Sequence, residues 1–174
     1  MGKTLIISAG HGGGAPGVCA HGYREADLAV WLRDAVALGL RNRGCTVLED
    51  GPDGVNEGLG NALRLMRANP QAQAWEIHFN APTPTARGVE VLSPVALKSD
   101  AQAVALAISN VLGTPLRGDK GWKAPNAGAH SRLAFCEAGG GIIEVEFLTN
   151  KAAIEHYLAN RIQVAGAIAA VLAV

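Results

Sequence analysis

The chain has 174 residues, of which 49% are apolar and 17% charged, with 15 basic residues against 15 acidic. That length suits one domain able to bury a core, and the composition excludes a disordered chain. A net charge of zero argues against the basic surface that nucleic acid or anionic lipid would need, so no nucleic-acid partner is expected.

Leu5 to Ser8 is a short apolar run ending near Gly10, as a buried strand does. No charged-then-apolar leader precedes it, so synthesis in the cytoplasm without a signal peptide is expected, any export using another route. Glu25 to Arg43 carries Leu28, Trp31, Leu32, Ala35, Val36 and Leu40 at helical spacing and is closed by Gly44. Thr46 to Glu49 reads as a second strand, Leu59 to Ala68 as a second helix, and Ala74 to Phe79 as a third strand. Pro82 to Arg87 is a Pro-broken loop, Gly88 to Leu92 a fourth strand, and Asp100 to Leu112 a helix. Gly113 to Ser131 has no periodicity and reads as a long surface loop rimming the site. Arg132 to Cys136 and Ile142 to Phe147 read as strands, and Lys151 to Ala173 as a closing helix. Glu155, His156, Asn160, Arg161 and Gln163 interrupt that last segment, so no membrane span is expected. Strands separated by helices predict an α/β fold, a three-layer αβα sandwich with a mostly parallel sheet of about six strands. Residues 1–174 are expected to form one domain.

His11, Glu25 and His78 each stand where a predicted strand ends or a helix begins. Two imidazoles and a carboxylate are the ligand set of a catalytic Zn²⁺ (one ion), with a fourth position for water. Each has a blander reading. His11 in Gly10-His11-Gly12-Gly13-Gly14 suits a flexible turn, Glu25 suits a helix-start carboxylate, and His78 a hydrogen-bonded core histidine. Gly12, Gly14 and Gly17 fit GxGxxG in form, but no helix opens there, so a phosphate loop is not expected. His21 is the alternative ligand, His130 a candidate for substrate contact, and His156 a surface or packing residue. Alternation puts Glu76, His78 and Asn80 on one face of their strand, a polar face that is costly unless something binds it. Glu144 and Glu146 likewise share a face of an otherwise apolar strand. Either both are held in ion pairs, or one is paired and the other is a general base. Cys19, Cys45 and Cys136 have no CxxC spacing and read as inert, buried thiols.

Several stretches together resemble the zinc-dependent N-acetylmuramoyl-L-alanine amidases of the amidase-3 type, found in bacterial cell-wall remodelling and phage lysins. They are Ile6 to Gly13, Gly22-Tyr23-Arg24-Glu25, Ile77 to Ala81, Gly88-Val89-Glu90, Arg117 to Lys120 and Ile143 to Asn150, in the family's order. The resemblance implies an αβα sandwich, one zinc held by His11, Glu25 and His78, and Glu144 as the catalytic glutamate. It implies hydrolysis, in peptidoglycan, of the amide joining N-acetylmuramic acid to L-alanine. Glu146 departs from the family, which usually has a small residue there, and is therefore a candidate second acid. Asn80 and Arg132 are the candidate substrate-binding residues, Asn80 as an aid to the oxyanion. Without an export signal or wall-binding domain, a compact phage endolysin acting on the wall, or a domain of a longer protein, is expected.

Two rivals follow. Another zinc amide hydrolase, carboxypeptidase-like or a formylglutamate-type deacylase, would need an arginine to clamp a free carboxylate, with Arg87, Arg117 and Arg132 as candidates. A non-catalytic wall-binding module would use the same groove without turnover.

Overall fold

The computed structural model describes residues 2–81, 83–127 and 133–174. In chain order the elements are β1 (Thr4–Ala9), β2 (Cys19–Ala20), β3 (Tyr23–Arg24), α1 (Glu25–Arg41), β4 (Thr46–Glu49), α2 (Leu59–Ala68), β5 (Gln73–Asn80), β6 (Glu90–Leu92), α3 (Lys98–Leu112), β7 (Trp122–Lys123), α4 (Ala134–Glu137), β8 (Gly141–Phe147) and α5 (Lys151–Leu172). Six strands form one sheet in the order β4-β1-β5-β8-β6-β7, and β2 pairs with β3 as a small hairpin. All neighbours in the sheet run parallel except β6 and β8, which are antiparallel.

Strand alternation divides the apolar residues between two unequal cores. Leu5, Ile7, Trp75, Ile77, Phe79, Val91, Ile143 and Val145 point to the face covered by α1, α3 and α5, and that core is thick and closed. Ile6, Ala74, Leu92 and Ile142 point the other way, toward the shorter α2 and α4 with Ala62, Met66, Phe135 and Cys136. The three-layer αβα sandwich expected from the element pattern is the observed architecture. The thin layer is where the polar residues of β5 and β8 emerge.

Three expectations are corrected. The apolar run expected as a strand over Arg132 to Cys136 instead contains the helical turn α4, which buries Phe135 and Cys136 against Met66 and Leu92. A short apolar segment has no period by which strand and helix can be told apart. The sixth strand comes instead from within the irregular loop: Trp122 and Lys123 pair with Val91 and Leu92, and the Trp122 indole nitrogen donates to the Ser93 carbonyl at 3.1 Å. Cys45 and Cys136 are buried thiols, whereas Cys19, on the β2 hairpin, is exposed. No helix among the described residues is long and apolar enough to cross a membrane. Arg132 and His130 lie outside the described residues.

Candidate active site

The strand order sets the site. β1 and β5 are adjacent and parallel, with Ser8 beside Glu76 and Ala9 beside Ile77, so the chain leaves both strands at the same end of the sheet. His11 follows β1, His78 lies near the end of β5, and Glu144 on β8 is the register partner of His78. Glu25 is delivered by the first turn of α1. In such sheets the crevice outside the carboxyl ends of the strands is the binding position. Here it is a cavity of about 520 Å³, lined by His11, Glu25, Glu76, His78, Asn80 and Glu144 together with apolar side chains such as Leu92, Phe135 and Ile142.

Glu25 is the hub. Its carboxylate is buried, and it accepts hydrogen bonds from the Val18 amide at 3.0 Å and the Phe79 amide at 3.0 Å. His11 Nε2 lies 2.9 Å from one of its oxygens and His78 Nδ1 3.0 Å from the other. The two imidazole rings meet edge to face with centroids 5.0 Å apart. One ligand atom from each of His11, Glu25 and His78 falls within 4.8 Å of the others. Burial by itself would raise the Glu25 pKa, but its bonds to His11, His78 and the Val18 amide hold it far below the usual carboxylate range. Burial would likewise depress His78, yet its bonds to Glu25 and Glu76 and the nearby Glu144 charge raise it well above the ordinary imidazole value. Two nitrogens and one carboxylate oxygen, fixed by main-chain amides, suit a Zn²⁺ ion.

Close backbone approach makes this packing feasible. A Cβ on Gly10 would fall 2.3 to 2.5 Å from atoms of the His78 ring, so only glycine lets β1 pass beneath that imidazole. Gly17, at φ +68°, would similarly drive a Cβ to 2.6 Å from the His11 ring and 2.7 Å from Glu25. His11 itself adopts a left-handed φ of 67°. Asn56 holds it there: its amide nitrogen donates to the carbonyls of Ala9 (2.6 Å), Gly10 (3.1 Å) and His11 (3.1 Å), while its side-chain oxygen accepts from the Gly58 amide. Sequence reasoning passed over Asn56, whose one signal is an amide residue within the glycine-rich turn from Gly54 to Gly58.

Glu144 and Glu146 part company. Between His78/Glu144 and Asn80/Phe147 the register shifts, so two residues of β5 oppose three of β8. That bulge breaks the alternation which would have put both acids on one face. Glu146 turns away from the cavity and accepts from the Gly88 amide (2.7 Å), the Phe147 amide (3.0 Å) and the Thr114 hydroxyl. It is held by dipoles, not by the Lys or Arg partner considered from the sequence. Glu144 faces the cavity, and its Oε2 is buried without a hydrogen-bond partner among the described residues. Burial, with the neighbouring charges of Glu25 and Glu90, pushes its pKa up to about 7 against the pull of His78 and His11.

The remaining candidates are placed as follows. Asn80 lines the cavity, but its amide nitrogen donates to Glu90 at 3.0 Å. Glu90 is in turn paired with Arg117 at 2.6 Å and Lys123 at 2.7 Å. His21 is turned out of the cluster, with its Nε2 2.9 Å from the Thr149 carbonyl oxygen, and His156 is exposed on α5. Arg117 stacks on Phe147 besides pairing with Glu90, and Arg87 borders a separate recess with Leu112 and His156. Neither arginine lines the cavity, so neither is placed to clamp a substrate carboxylate there.

Comparison with known proteins agrees with this fold. The family profile described as N-acetylmuramoyl-L-alanine amidase matches residues 5–174. A solved Neisseria meningitidis protein described as an N-acetylmuramoyl-L-alanine amidase is 38% identical, with a TM-score of 0.89 over 98% of this chain and 94% of that one. The N-acetylmuramoyl-L-alanine amidase AmiC2 of Nostoc punctiforme shares the fold at 19% identity, with a TM-score of 0.82 over 98% of this chain and 94% of that one. So does the catalytic domain of the CD27L endolysin targeting Clostridia difficile, at 18% identity and a TM-score of 0.78 over 98% and 96% of the two chains. No curated protein sequence matches the chain.

Proposed function

The chain belongs to the N-acetylmuramoyl-L-alanine amidase family and is an enzyme of that type; from this premise we propose that it is a one-zinc peptidoglycan hydrolase with Glu144 as its general base. The observation that carries the reading is the coincidence of two things in one cavity. Three ligand atoms of His11, Glu25 and His78 converge, and a carboxylate oxygen of Glu144 is buried there without a partner among the described residues.

His11, Glu25 and His78 would hold a zinc ion, which when bound would supply Lewis acidity to water and to the amide carbonyl. The rest is work for the chain's own groups. Glu144, poised near neutrality, takes the proton from the attacking water and passes it to the departing alanine nitrogen. Its Oε2, without a hydrogen-bond partner among the described residues, supports that role for Glu144 over Glu146, which accepts from three donors. Glu25 is fixed by two amides and so cannot swing toward substrate. Asn80 shapes the cavity wall, with its amide nitrogen committed to Glu90. In this reading residues 1–174 make up one catalytic domain and its place of action is the cell wall. A lytic role of the endolysin kind predicts turbidity loss when the protein is added to isolated walls.

Digestion of purified peptidoglycan should release new L-alanine amino termini. Glu144→Gln should lose about 10²- to 10⁴-fold in kcat while retaining about one equivalent of zinc. His78→Ala should lose the zinc. Near-normal turnover by Glu144→Gln would reject the base assignment, and wall binding without any released amino termini would favour a silent wall-binding module.

A further inference from the structure

The zinc-site reading leaves one buried acid of the cavity without a task. Glu76 lies two residues before His78 on β5 and on the same face, beside Ile142 of β8 and Ser8 of β1. It is 5% exposed, and the cavity wall around it includes Leu92, Phe135 and Ile142. A carboxylate in such surroundings is costly unless it is paired. Among the described residues its side-chain partner is His78, whose Nε2 is 3.1 Å from Glu76 Oε2.

The two nitrogens of His78 therefore have different neighbours. Nδ1 faces Glu25, the carboxylate that also receives His11, and so points to where the three ligand atoms converge. Nε2 points away from that convergence, at Glu76. A neutral imidazole carries one proton, and the hydrogen bond at one nitrogen decides which nitrogen keeps it. A carboxylate at Nε2 retains the proton there, leaves the Nδ1 lone pair free, and makes that lone pair more basic. Gly10 beneath the ring lets the imidazole sit flat against β1, so the ring is fixed from one edge and one face.

We propose that Glu76 is the positioning residue of this site, accepting the Nε2 proton of His78 so that Nδ1 is presented as the metal ligand. The proposal rests on the zinc site described above, and it adds a requirement that the ligand triad alone does not contain. Glu76 acts through the tautomer and the angle of His78.

The test uses the full chain labelled with ¹⁵N at histidine. In the zinc-loaded wild type, His78 should be protonated at Nε2 and metal-bound at Nδ1. Glu76→Ala should weaken zinc binding, measured by chelator competition, by about 10- to 100-fold and remove or shift the Nε2–H resonance. Glu76→Gln, which keeps an acceptor oxygen, should recover part of that loss. Unfolding midpoints of the zinc-stripped variants register damage to the fold separately. A purely structural Glu76 would lower those midpoints and leave affinity and resonance alone, which would overturn the proposal. Zinc on Nε2 with the proton on Nδ1 in the wild type would overturn it whether or not any variant folds. A wild type that binds no zinc would overturn the zinc site itself, and this inference with it.

Discussion

Two buried clusters of carboxylates lie near the same end of the sheet, and they are neutralised in different ways. Beside β4 and α1, Asp50 and Asp34 surround Arg33, which is wholly buried in the middle of a helix. Every N–H of that guanidinium is used: Nε and Nη2 donate to Asp34, Nη1 to Asp50 at 2.7 Å, and the others to the carbonyls of Val55 and Pro52. In the cavity, Glu25 and Glu76 surround His78 instead. Arginine is a permanent cation, so the first cluster is closed and complete. Histidine can give up its proton, so the second can exchange that positive charge for a metal ion. The oxygens of Asp34, Glu49 and Asp53 also come within 4.8 Å of one another. Arg33, bonded to Asp34 and 3.6 Å from Glu49, already supplies the cation there.

Removing the fixed cation should have the largest effect. Arg33→Ala strands the buried Asp50, whose other oxygen accepts from Ser8 Oγ at 2.8 Å and the Ala9 amide at 3.2 Å just before the His11 loop. A loss of about 3–5 kcal/mol in urea unfolding is expected, and added zinc should not restore it. A midpoint close to wild type would erase the contrast between the clusters.

The exchangeable cluster should show itself through pH. Glu144 ionises near 4.5 when unfolded but near 7 when folded, so it resists ionisation in the fold and lowers stability as pH rises through that window. The contribution of His78, whose folded pKa is raised, is complete below its unfolded value of 6.5 and is lost as pH rises through the folded pKa. Glu25 has a lowered pKa, so its contribution is present above 4.5 and fades only in stronger acid. With zinc stripped by chelator, the thermal midpoint should therefore fall between about pH 5 and 8. Zinc binds deprotonated ligands, so the upward shift it causes should grow over the same range. A zinc-induced shift greatest at pH 5 would contradict this.

Glu146 provides the smallest and sharpest test. Thr114→Val removes one of its three donors and leaves the Gly88 and Phe147 amides. The expected cost is roughly 1.5–3 kcal/mol of unfolding free energy, with kcat and zinc content unchanged. A fall in kcat at full zinc occupancy would return Glu146 to the chemistry.

Much of the site was legible because its signals are local. Each strand followed by a glycine or a polar residue announced an end, and ends of parallel strands gather in space. His78 and Glu144 stood out as costly polar residues on otherwise apolar strands, and His11 and Glu25 by their places at a strand end and a helix start. What misled was alternation carried past its limit. Glu144 and Glu146 are two apart, yet a one-residue bulge sends them to different surroundings. Asp50 and Arg33 were silent because an ordinary surface pair and a buried pair are written with the same residues.

The sequence by itself determined most of the order of elements, the large core and the set of groups able to bind a metal, since periodicity and glycine placement act over a few residues. Only the tertiary structure decided which acid keeps a buried oxygen without a partner among the described residues, which nitrogen of His78 faces which carboxylate, and which cluster brings its own cation. Those outcomes depend on distances of about 3 Å, most of them between residues 17 to 58 positions apart. No local pattern in the chain encodes such distances; they arise when β1, β5 and β8 pair in register and α1 closes over their ends.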